Sequence, residues 1–194
     1  MSGFIDEFMQ MYGPQVSKQL AGNLGINKNT AQQLIPQIAP LILSGLRKQK
    51  DNFGGEARVD HILNKYGSSS VLDNIGDLFA EKSSEKNPDP ALGGLLGDSG
   101  FKAAELLGSQ FNLSGSTAQK IIPMLAPVIL GALTQRRDSG DGINGIASIL
   151  DQDGDGNILD DVAGFLFQGL AGSKSGNTAN VVGGLLGGLF GKKR

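Results

Sequence analysis

The chain has no cysteine, no tryptophan, two tyrosines and a single histidine among 194 residues. Lack of cysteine excludes disulfides, thiolate metal sites and cysteine nucleophiles. The lone histidine, His61, argues against a transition-metal centre and is read as a surface or partly buried helix residue. With aromatics at 6%, the core has to be aliphatic. Neither charge sign dominates: 17 Lys and Arg face 19 Asp and Glu, for a net charge of -2. No segment forms a broad basic face, so no nucleic-acid partner is expected. No apolar run reaches the ~20 residues of a membrane span, so none is expected. The first residues, Met1 to Glu7, carry two acids where a secretory leader would be basic. The cytoplasm is the expected location.

Glycine is what the chain has in excess, 30 of 194 residues, roughly double the usual share. The excess predicts many turns and close helix contacts, or some disorder, and the chain is also a duplication. Residues 16–79 align without a gap to residues 103–166, at an offset of 87, with 18 identities in 64 pairs. Chance would give about four or five at this composition. The strongest stretch sets Thr30-Ala31-Gln32 and the following apolar run against Thr117-Ala118-Gln119 and its run, with Pro36 and Pro40 matching Pro123 and Pro127. Prolines four apart share a helix face and would remove two ladder donors from a central strand, so strand is disfavoured. Inside a helix each proline costs a backbone bond, which predicts either a kink or a break into two helices. Asn29 with Gln32, and Ser116 with Gln119, have capping-box spacing at the head of each run. Arg47, Lys48 and Lys50 close the first run, and Arg136 with Arg137 the second. They suit the negative end of a helix dipole and are read as solvated helix ends.

The expected fold is all-α: two tandem, pseudo-symmetric helical repeats packed together, with a glycine-rich C-terminal tail. The expected boundaries are 1–86 for repeat one, 87–170 for repeat two and 171–194 for the tail. Glu81 to Pro90 is polar and proline-containing, and reads as the loop between copies.

One segment carries specific chemistry. Asp151-Gln152-Asp153-Gly154-Asp155-Gly156-Asn157-Ile158-Leu159-Asp160-Asp161 places acids at alternate positions around a sixth-position glycine. Calcium takes six to eight oxygens, and this is the pattern of an EF-hand loop. The expected ligands are Asp151, Asp153, Asp155, Asn157, Asp160 and Asp161, with calcium as the cofactor. Position twelve is Val162, where an EF-hand has a bidentate glutamate, so affinity is expected to be modest. Copy one has Asn64-Lys65-Tyr66-Gly67-Ser68-Ser69-Ser70 in its place and should not bind. Asp73 persists opposite Asp160, which suggests a second role as a helix cap.

Other signals fail on context. Gly97-Asp98-Ser99-Gly100 imitates a serine-protease motif, but no triad can be assembled around it. Gly140-Asp141-Gly142-Ile143-Asn144-Gly145 fits a dinucleotide fingerprint without the strand that must precede it. The chain is therefore read as non-catalytic, a binding or scaffold module with a protein partner or a second copy of itself. The alternative is self-assembly or membrane-surface contact through the tail. There Val182-Gly183-Gly184-Leu185-Leu186-Gly187 echoes Leu92-Gly93-Gly94-Leu95-Leu96-Gly97, ahead of Lys192, Lys193 and Arg194.

The repeated proline helix and the acidic loop together resemble bacterial domain-of-unknown-function family 937, over roughly residues 16–80 and 103–170. The resemblance implies a bacterial, helical protein. It supplies neither an activity nor catalytic residues.

Overall fold

A computed structural model describes residues 3–153. Asp155, Asn157, Asp160, Asp161, the Val182–Gly187 echo and the terminal Lys192, Lys193 and Arg194 lie outside the described residues.

The described residues are helical, with no strand among them. In chain order the helices are α1 (Phe4–Met11), α2 (Gly13–Leu24), α3 (Lys28–Phe53), α4 (Gly55–Tyr66), α5 (Ile75–Ser84), α6 (Asp98–Gln110), α7 (Gly115–Arg136) and α8 (Gly142–Asp153). Helix bounds recur at the offset read from the sequence. Lys28 and Gly115, Gly55 and Gly142, and Tyr66 and Asp153 are each 87 apart. The proline runs neither break nor divide: Pro36 and Pro40 lie inside α3, and Pro123 and Pro127 inside α7. Burial of the flanking aliphatic residues outweighs the lost backbone bonds. Leu34, Ile35, Ile38 and Ile42 are fully buried on α3, as are Ile121, Ile122, Leu125 and Ile129 on α7. Each such side chain contributes roughly 1.5–3 kcal/mol.

The caps fall two residues before the expected ones. Asn27 Oδ1 accepts from the Asn29 N–H at 2.7 Å, and Ser114 Oγ from the Thr117 N–H at 3.2 Å. A capping residue needs extended backbone, and Asn27 (ψ 141°) and Ser114 (ψ 149°) have it. Asn29 and Ser116 already sit inside the first turn. The expected cap at Asp73 is also absent: α5 begins after Asn74 with no side-chain cap.

α3 and α7 pack on each other at the centre. α2 lies along α3, and α6 along α7. The helices that follow each proline helix touch both of them. α4 packs on both α3 and α7, while α8 packs more on α3 than on α7. The turn after α4 seats directly on α7. A Cβ on Gly67 would lie 2.8 Å from the Leu130 carbonyl oxygen, and one on Gly131 would lie 2.8 Å from that of Ser68. Two bare backbones are needed at that contact.

Taken with its continuation through α8, α7 is long and apolar enough by composition to cross a membrane, contrary to the reading of the bare sequence. Yet 78% of its apolar window is buried among the other helices. That is the pattern of a core helix.

Candidate functional site

The acidic segment begins on α8. Asp151 and Asp153 are its last-turn residues, just as Asn64 and Tyr66 end α4. The Asp151 carboxylate is already engaged. Lys50 Nζ donates to it, and Arg47 Nε lies 3.9 Å away. Among the described residues, no cluster of three acids or histidines could hold a metal ion.

These cations belong to the helix ends read as solvated, and the structure corrects that reading. The basic residues tie elements together. Lys50 is only 14% exposed although Asp151 is 53% exposed. Arg136 bridges Glu7 of α1 and Asp141, at 2.5 Å each. Hydrogen bonding to Asp141, with the charge of Glu7 in support, raises the Arg136 guanidinium above its ordinary value against a smaller desolvation effect. Arg137 bonds to Asp60 at 2.7 Å and to Asn64 at 2.9 Å, both on α4. It opens a π-helical turn, Arg137–Asp141, that follows α7. His61 is exposed on α4, and Gly97-Asp98-Ser99-Gly100 is the start of α6.

The concave feature of the described residues lies elsewhere. A groove of about 480 Å³ runs between the C-terminal half of α3, the α4 helix, the proline face of α7 and the 85–95 connector. Pro123, Ala126, Pro127 and Leu130 form its α7 wall, and Leu92 and Leu95 come from the connector. Phe53 and Tyr66 flank it, 61% and 55% exposed. Aromatics that open to solvent are unusual in a chain with so few, and here two stand over one groove. Its charged lining is Arg58, Lys82, Glu85 and Asp89. Lys82 pairs with Glu85 at 2.5 Å. The Asp89 carboxylate accepts from the backbone N–H groups of Ala91 and Gly93, at 2.9 and 2.6 Å.

Sequence reasoning passed over this site, though the repeat held a signal for it. Phe53, Arg58 and Tyr66 are replaced in copy two by Gly140, Gly145 and Asp153. The groove thus uses side chains special to copy one against prolines of copy two. Differences between copies were weighed only at the acidic loop.

Comparison with known proteins gives a family and no activity. The family model described as bacterial protein of unknown function (DUF937) matches residues 6–136 and 127–194. No curated protein matches the chain, and no solved structure does.

Proposed function

Since the chain belongs to the DUF937 family of bacterial proteins of unknown function, we propose from its own geometry that it is a non-catalytic binding module whose ligand sits in the α3–α4–α7 groove. The observation that carries this reading is the groove of about 480 Å³ with apolar walls and two exposed aromatics. Small-molecule sites are mostly apolar clefts of roughly 300–1,000 Å³ with a few placed polar groups. A neutral apolar dye, Nile red, tests it. Its fluorescence should rise saturably on the wild type and fall at least several-fold in a Phe53→Ser, Tyr66→Ser variant. Both positions are exposed, so circular dichroism should be unchanged. A signal that never saturates, or is equal in both proteins, overturns the reading.

Calcium binding at the acidic segment is a second reading, supported by the oxygen pattern at Asp151, Asp153 and Asp155 and its absence from copy one. In this reading calcium draws the end of α8 into a loop and staples the second copy, stabilising the native state by mass action. Asp160 and Asp161 complete the oxygen set in place of the missing glutamate. Calorimetric titration of the chelator-stripped protein should show one site, lost in an Asp153→Ala, Asp155→Ala variant. No heat and no shift in Tm would sink it.

A further inference from the structure

Three features outside the acidic segment invite a role: the groove, the exposed Met11 and Phe101, and the buried hydroxyls of Ser44 and Thr134 that lack partners. Only the groove combines shape with a charged side chain whose hydrogen-bond donors are left over. We infer that it takes a small apolar carboxylate, a medium-chain fatty acid or a compound of like chemistry, with Arg58 as the anion anchor. This rests on the binding-module reading above and names the ligand class for the same groove.

The argument begins with charge. Of the four charged side chains lining the groove, Lys82 and Glu85 neutralise each other, and Asp89 is held by two backbone N–H groups. Arg58 differs. Among the described residues no carboxylate lies within ion-pairing distance of it, whereas Arg47, Arg136 and Arg137 each have one. Its Nε donates instead to Gln49 Oε1 at 3.0 Å, and Gln49 is 8% exposed. That bond fixes the guanidinium plane through a neutral partner instead of an anion. Both terminal nitrogens keep their N–H groups, the fork that meets a carboxylate with two parallel hydrogen bonds. Helix energetics does not explain the placement. Arg58 is the fourth residue of α4, where the helix dipole favours an anion over a cation.

The rest of the lining selects among anions. The α7 wall, with Leu92 and Leu95 of the connector, is proline and aliphatic side chains, so much of the ligand has to be apolar. One free guanidinium compensates one negative charge. A phosphate or polyanion would bring surplus charge against the carboxylates of Glu85 and Asp89. An alkyl ammonium would meet Arg58 itself. A monocarboxylate with an apolar body fits all three conditions.

The test is calorimetric titration of the full chain with decanoate, below its micelle concentration, beside decanol and decylammonium. Decanoate should bind at one site, about tenfold more tightly than decanol, the advantage of one charge-assisted bidentate pair. Decylammonium should bind more weakly than either. Arg58→Gln should erase the preference for decanoate over decanol while Nile red binding persists, which also shows that the variant is folded. Arg58→Lys, which keeps the charge and loses the fork, should retain part of the preference. If the three ligands bind alike, or Arg58→Gln leaves the preference intact, the inference falls while the groove reading stands. If neither decanoate nor Nile red binds saturably, both fall.

Discussion

Lys50 of α3 and Asp151 of α8 form an ion pair across 101 positions of the chain. The lysine is mostly covered, and the acid is the first of the oxygen-rich segment. A structural contact and a proposed metal ligand therefore share one carboxylate.

Calcium and Lys50 should then compete. Lys50→Met frees the carboxylate while keeping the apolar stem. Exposed or half-exposed pairs are worth about 0.2–1 kcal/mol, so calcium affinity should rise up to about fivefold in calorimetry. Unchanged or weaker affinity would remove Asp151 from the ligand set.

Two glycines should respond to alanine with opposite signs. At Gly131 the new Cβ would meet Ser68 backbone and Val71 Cγ2 at 2.8 Å. Overpacking of this kind costs about 1–3 kcal/mol. Gly22, inside α2, has nothing within 4 Å of an added Cβ. There alanine should stabilise by about 0.5–1 kcal/mol, through helix propensity and a less free unfolded chain. Urea unfolding followed by circular dichroism reads both. Equal effects would mean that the turn after α4 does not seat on α7.

The cap positions can be separated from the capping-box positions. Asn27→Ala and Ser114→Ala should each lose about 1 kcal/mol. Asn29→Ala and Ser116→Ala should stay within about 0.5 kcal/mol of wild type. The reverse order in thermal or urea unfolding would restore the helix starts read from the sequence.

Arg137 and Asp60 offer a cross-copy double-mutant cycle. Arg137 is 14% exposed and Asp60 44%, so solvent screens the pair from one side. A coupling of about 0.5–1 kcal/mol is expected, shrinking as salt rises. A coupling of zero at low salt would show that the contact contributes nothing to holding α4 against the end of α7.

The all-α class was legible in the sequence because the helical period and the paired prolines agreed. The start of α3 was displaced by two residues because Asn27 and Asn29 both have the chemistry of a cap. Only backbone angles distinguish them. The fate of Lys50, Arg136 and Arg137 was hidden for another reason. Their partners Asp151, Glu7 and Asp60 are far away in sequence, and nothing local announces them. The groove was hidden in the same way: Arg58 and Pro127 become neighbours only when α4 packs on the other copy. The acidic pattern was plain, but that α8 runs through Asp151 to Asp153 was not. A run of alternating acids looks like loop until the helix before it is seen to continue.

The packing of α4 onto α7, and of α8 onto α3, has a further consequence. A chain holding one copy would leave its proline helix bare where the other copy's fourth helix now lies. Here the segment between α5 and α6 links the halves covalently, which replaces a bimolecular encounter with an effective concentration on the order of millimolar. The aromatics beside the groove, Phe53 and Tyr66, stand where the aligned positions of copy two hold Gly140 and Asp153, so the chemistry that faces α7 from α4 is not repeated where α8 faces α3.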